Sequence, residues 1–206
     1  RKESSAASDV YKRQIVAYGD PVLKKVANAI AADHPNLESL IENMWETMYH
    51  AHGVGLAAPQ IGLPIRLFVI DATPFADDED LTQSEQDALK NFKAVFINAT
   101  ITEETGEEWT FNEGCLSIPD VREDVIRKPK ITITYQDETF KTHTKTFDGL
   151  VARVIQHEYD HIEGILFTDK LSSLKKRILK GRLSNISKGK ISAEYRMRFP
   201  EMKKGR

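Results

Sequence analysis

Residues 157–161 read His-Glu-Tyr-Asp-His, and this run constrains the fold more than any other. Two histidines four apart meet one metal ion only if the segment is helical, because that spacing puts both imidazoles on one face, a turn apart. Glu158 then sits beside the ion without having to bind it. Two imidazoles are an incomplete set: a working site needs a third protein ligand and one open position. The rest of the chain must therefore bring a donor from a distant segment against this helix.

Three donors can be weighed. An H-E-x-x-H-x-x-G-x-x-H pattern is followed as far as Gly164, but Phe167 stands where its third histidine would be. A downstream carboxylate is the second option. Glu163 points off the ligand face, and Glu194 lies in an alternating, strand-like segment. The third is Cys115, the only cysteine of the chain. A thiolate suits a borderline or soft divalent ion. A lone cysteine is more often a small core residue, yet the adjoining Gly114 argues for a close backbone approach that a core cysteine does not need.

Gly53-Val54-Gly55-Leu56-Ala57-Ala58-Pro59-Gln60, Glu113-Gly114-Cys115-Leu116-Ser117 and Gln156-His157-Glu158-Tyr159-Asp160-His161 follow one another in this chain. In order and separation they resemble the three signature motifs of the peptide deformylases. The resemblance runs from about Ile15 to the early 170s. It implies an α+β fold, with a central H-E-x-x-H helix packed among antiparallel β-sheets in one domain over residues 15–200. It implies hydrolysis of the N-formyl group from the initiator formyl-methionine of new polypeptides. One divalent ion would be held by Cys115, His157 and His161: Fe(II) in the cell, with Zn, Ni or Co able to take the site. Water on that ion would be the nucleophile and Glu158 the general acid/base. The Gln60 side chain and the Leu116 backbone N–H would receive the developing oxyanion.

The glycines suggest how a substrate lies. Gly55 and Gly114 allow backbone contact with an extended peptide, and Glu113 belongs to the same substrate-facing segment. Leu150 and Val154 precede His157 by seven and three residues, so they share its face. Taken singly they read as core residues; with Val54 they form a candidate apolar slot for an unbranched side chain such as methionine. Rival readings are a zinc endopeptidase using Glu194, a cysteine hydrolase with Cys115 as nucleophile, and an inactive ribosome- or RNA-binding relative.

Composition narrows the setting. The chain has 206 residues, of which 40% are hydrophobic and 29% charged, enough for a core and ordinary for a globular protein. No apolar run approaches the ~18 residues that span a bilayer. One cysteine excludes an internal disulfide framework and fits a reducing compartment; a cytoplasmic, bacterial-type monomer is expected. The net charge of −2 conceals an asymmetry. From Lys170 to Arg206 there are thirteen Lys or Arg against two Glu, whereas the remainder carries sixteen basic and twenty-nine acidic residues. A basic end on an acidic body suits polyanions, and the ribosome is the expected partner beside the formylated nascent peptide. Residues 1–14, polar and without a periodic apolar face, are expected to be an extraneous or disordered leader; residues 201–206 form a basic tail.

Periodicity supplies the outline of the elements. Asp20-Pro21 opens a short helix. Residues 36–51 form a longer one, with Leu37, Leu40, Ile41, Met44, Trp45 and Met48 as its buried stripe and Gly53 and Gly55 ending it. Strands are expected at 65–70, 94–101, 125–126, 131–135 and 141–147. An acidic loop fills 71–91, with a helical turn near 84–89. Asp148 caps the motif helix and Gly164 stops it. A basic helix over 171–179 and a C-terminal strand over 191–199 complete the chain.

Overall fold

The computed structural model describes residues 14–200; the expected leader up to residue 13 and the tail at 201–206 lie outside the described residues. The elements run β1 (Ile15–Val16), α1 (Leu37–His50), β2 (Gly55–Ala57), β3 (Leu67–Asp71), α2 (Gln83–Leu89), β4 (Lys93–Thr105), β5 (Trp109–Cys115) and β6 (Ile118–Arg127). They continue through β7 (Lys130–Gln136), β8 (Thr142–Phe147), α3 (Gly149–Ile162), α4 (Ser173–Ser187) and β9 (Met197–Arg198). Strands β2, β3, β4, β7 and β8 form one antiparallel sheet in that order. Strands β5 and β6 make a separate antiparallel hairpin, and β1 pairs with β9. The architecture is α+β, as the sequence reading has it.

The motif helix α3 lies against the five-stranded sheet. Val151, Val154 and Ile155 share a core with Phe68 and Ile70 of β3, Phe96 of β4 and Ile133 of β7. Phe68 stacks on Phe96 at 4.7 Å between ring centroids, and Phe96 meets Tyr135 at 4.3 Å. Burying each such side chain contributes about 1.5–3 kcal/mol, so α3 is fixed by apolar contact before any metal binds. Its ends are set locally. The Asp148 carboxylate accepts the Gly149 N–H at 2.7 Å, and Glu163 caps the other end. Gly164 follows at φ +71°, where a Cβ would come within 2.8 Å of the Lys24 backbone. Helix termination and close packing on the Pro21–Lys24 turn thus both call for glycine there.

Several boundaries differ from expectation. Helix α1 keeps its expected span to within a residue at each end, and His52 turns the chain out of it in the left-handed conformation at φ 55°. Its stripe also includes buried Thr47, whose hydroxyl returns to the Asn43 carbonyl at 2.7 Å. In the acidic stretch β3 reaches Asp71, and Thr82 and Glu85 cap each other to start α2. Strand β5 was not expected, since Asn112, Glu113 and Gly114 are poor strand formers; pairing with β6 overrides that preference. Helix α4 continues to Ser187, well past residue 179.

The C-terminal strand is shorter than its alternation suggests. Burial does alternate from Ile191 to Phe199, but only Met197–Arg198 joins a ladder, and it runs parallel to β1. The one strand beside it is two residues long, which leaves no edge to extend the pairing.

Candidate metal centre

The site is assembled where the β5–β6 hairpin meets α3. Leu116 and Ser117 form the turn between the two strands, and Cys115 is the last residue of β5. The pairing shifts between Gly114, opposite Arg122, and Cys115, opposite Ile118. This irregularity re-aims the cysteine, as bulges commonly do beside active sites.

The ligand atoms of Cys115, His157 and His161 all lie within 4.8 Å of one another. The Cys115 Sγ is 3.3 Å from His161 Nε2, and the two imidazole rings are 5.1 Å apart at 79°. One thiolate and two imidazoles are a donor set for a borderline divalent ion such as Zn or Fe(II). His161 is buried, and its Nε2 is the ring nitrogen that meets the Cys115 sulfur. Burial and the neighbouring His157 push its pKa well below the ordinary imidazole value, leaving a neutral ring. The residues present therefore fit a divalent ion. Glu194, the other donor weighed from sequence, is exposed on the cavity wall and outside this trio.

A buried ionic lattice holds the trio together. Glu113 Oε2 lies 2.9 Å from His157 Nδ1. Arg127 grips the same carboxylate with Nε at 2.7 Å and Nη2 at 2.9 Å, and reaches Asp160 with Nη1 at 2.7 Å. Arg153 donates to Glu113 Oε1 at 3.0 Å and to the carbonyls of Val125 and Trp109. Strand β5 (Glu113), strand β6 (Arg127) and helix α3 (Arg153, His157, Asp160) are thus lashed to one another. The lattice fixes where Cys115 stands relative to the histidines. Burial opposes ionisation of Glu113, but hydrogen bonds from Arg127 and His157 outweigh it, and the carboxyl is held far below its ordinary value. The His157 pKa is drawn upward: burial opposes its charge, and the hydrogen bonds with Cys115 and Glu113 prevail.

Glu158 faces the trio from the same helix. It is buried, its Oε2 has no hydrogen-bond partner, and a Cβ on Gly55 would overlap its carboxylate, with Cδ at 2.7 Å. Burial raises its pKa to about 7, the charge on His157 pulling down and that on Glu113 pushing up. Gln60 is likewise oriented. Its Oε1 accepts the Ala57 N–H at 2.8 Å, which turns Nε2 toward Cys115 Sγ and Ser117 Oγ, each 3.5 Å away.

A cavity of about 570 Å³ opens onto these groups. Val54, Gly55, Gln60, Gly114, Leu116, Val154 and Glu158 line it. Leu150 is not among the lining residues and packs in the sheet–helix core instead. Glu113 borders the cavity, and its carboxylate is taken up by His157, Arg127 and Arg153. Arg127 was invisible in the sequence, where it is one of many exposed-looking arginines; only the β5–β6 register, which sets it opposite Trp109, brings it inside. Residues 192–195 also form cavity wall, and the Tyr195 hydroxyl donates to the Leu116 carbonyl at 2.8 Å.

An α+β body and a buried helix carrying His-Glu-x-x-His, with a cysteine sulfur beside the two imidazoles, are the marks of a metal-dependent hydrolase. The sequence pattern described as polypeptide deformylase matches residues 12–177. A peptide deformylase of Christiangramia forsetii is 68% identical over 192 residues, covering 93% of this chain and 98% of that protein. One from Flavobacterium johnsoniae is 68% identical with the same coverage. The crystal structure of a peptide deformylase from Legionella pneumophila superposes with a TM-score of 0.72 at 38% identity, over 86% of this chain and 96% of that one. The chain belongs to the polypeptide deformylase family, metal-dependent enzymes that remove the N-formyl group from newly made polypeptides.

Proposed function

We propose that Cys115, His157 and His161 hold one divalent cation, Fe(II) in the cell, and that Glu158, Gln60 and Leu116 carry out deformylation beside it. The observation that carries this reading is the convergence of the three ligand atoms next to a buried, partnerless Glu158 carboxylate. When bound, the ion supplies Lewis acidity, activating water and polarising the formyl carbonyl. Glu158, with a pKa near 7, accepts the proton that water gives up and passes it to the departing amine. Gln60 Nε2 and the Leu116 N–H donate to the oxygen on which negative charge develops; donors already in place cost no reorganisation at that moment. Gln60 is suited to this because a neutral amide adds no charge to repel a cation, and its other end is tied to Ala57.

The substrate's backbone lies extended between the Gly55 and Gly114 segments, and Val54 and Val154 receive the methionine side chain. The test is formate release from formyl-methionyl peptides by anaerobically purified protein, with metal analysis of the same sample. Turnover that survives complete metal removal, or cleavage of internal peptide bonds without formate, would overturn the assignment.

The location and the docking partner follow from charge. None of the described helices is long and apolar enough to cross a membrane, and a cytoplasmic monomer working at the ribosome fits the basic end of the chain. Arg177, Lys180 and Arg182 on α4 are exposed cations suited to phosphate contacts. Ribosome co-sedimentation that weakens with added salt is expected; salt-independent association, or none, removes this partner.

A further inference from the structure

The two carbonyls of the turn that follows Cys115 are both held by the ends of the described chain. The Ser117 carbonyl accepts the Tyr18 N–H at 2.8 Å, just past β1. The Leu116 carbonyl accepts the Tyr195 hydroxyl at 2.8 Å, just before β9. These two arms are joined, since Ile15 N–H donates to the Arg196 carbonyl and Ala17 N–H to the Arg198 carbonyl, each at 2.9 Å. The paired ends thus clamp the Leu116–Ser117 turn. Tyr195 is not present for packing alone. Its ring rests, as Leu116 does, on the cluster that contains Ile41 and Met44, while its hydroxyl reaches past that cluster to one carbonyl. It also stands beyond residues 12–177, the part of the chain that matches the family pattern.

We propose that Tyr195 is a positioning residue for deformylation: by fixing the Leu116 carbonyl it sets the orientation of the Leu116 peptide N–H toward the oxyanion. The inference rests on the donor role given to Leu116 above. Cys115 and Ile118 pair across the turn, so Leu116 and Ser117 project beyond the ladder and depend on contacts from outside the hairpin. With both turn carbonyls held, the Leu116–Ser117 segment cannot rotate as a unit on the end of the hairpin, and the Leu116 N–H carried on it keeps one direction. An oxyanion donor acts through alignment, and a small misplacement is costly in rate while ground-state binding is little affected.

Tyr195→Phe keeps the ring and removes only the donor. The expected result is a fall in kcat of about tenfold, less than the roughly 100- to 1,000-fold lost when such a donor is deleted outright. KM, melting temperature and metal content should stay near wild type. Both constants are taken per metal-loaded molecule and well below the melting point, so partial unfolding cannot imitate either result. An unchanged kcat overturns the proposal, and so does a raised KM with kcat intact, which would make Tyr195 a cavity wall and nothing more. Wild-type protein that releases no formate overturns the deformylase reading itself; wild-type turnover with an unaffected variant overturns only the role of Tyr195.

Discussion

Glu113 Oε2 sits 2.9 Å from His157 Nδ1, and the same carboxylate is gripped by two buried arginines. The arrangement fixes the imidazole's rotation and occupies Nδ1, so Nε2 would be the nitrogen available to a cation. It also explains why the two carboxyls of the site titrate so differently: Glu113 has two guanidinium partners and is held far below its ordinary value, whereas Glu158 has none and burial raises it to about 7. Two carboxylates within one site are thereby given separate tasks.

Glu113→Gln tests that division. The neutral amide cannot balance Arg153, buried at 2% exposure, and leaves Arg127 with Asp160 as its remaining carboxylate. Leaving buried charges uncompensated costs about 3–5 kcal/mol, and losing a ligand's outer partner weakens metal binding by roughly 10- to 100-fold. Chemical denaturation and competitive metal titration should show both effects together. Wild-type values in the two measurements would mean that the lattice contributes nothing.

Acid should unfold the protein through the same carboxylate. The Glu113 pKa is depressed on folding below its ordinary 4.5. The native state therefore binds fewer protons than the unfolded chain, and the stabilisation is complete above that value. As the pH drops beneath 4.5 toward the folded-state pKa, it is progressively lost. Melting with a chelator present, so that metal release is not the readout, should fall with acid more steeply in wild type than in Glu113→Gln. Parallel curves would contradict the assignment.

Gly55→Ala should disturb catalysis without altering a candidate metal ligand. The added Cβ would come within 2.7 Å of Glu158 Cδ, so either the carboxylate or β2 has to shift. Overpacking of this kind costs about 1–3 kcal/mol, and displacing a catalytic group by ~1 Å can cost roughly 100-fold in rate. Metal content is expected to be unchanged, because none of the three ligands is touched. Full activity in this variant would show that Glu158 has room to spare.

Cys115→Ala removes the sulfur from the trio. His157 and His161 alone leave a two-ligand site, and affinity should drop until the purified protein carries almost no metal. Elemental analysis reads this directly. A variant with full metal content and turnover would mean that a different side chain closes the site.

The site was legible in the sequence to the extent that it is local. His157, Glu158 and His161 announce themselves by spacing, and Cys115 by being the only thiol beside a glycine. Helix α3 was readable because its caps, Asp148 and Gly164, and its apolar face all lie within one segment. What stayed hidden depends on partners distant in sequence. Strand β5 exists because of β6, Arg127 is buried because of that register, and Leu150 faces the core because the sheet is there to meet it. The C-terminal alternation was real as a burial pattern but could not reveal that its neighbour is only two residues long. Tyr195 carries no local mark at all; its partner is 79 residues away.

Glu158→Gln separates binding from chemistry. The amide nearly matches the carboxylate in size, so the fit against Gly55 is kept, and no metal ligand is altered. The variant should fold, retain metal and bind formyl-methionyl peptide with a KM close to wild type. It cannot accept a proton from water or return one to the amine, and the loss of general acid/base catalysis is expected to lower kcat by about 100- to 10,000-fold. Steady-state formate release with parallel metal analysis decides the matter. A kcat within a few-fold of wild type would remove Glu158 from proton transfer and leave its burial, its partnerless oxygen and its raised pKa without a function.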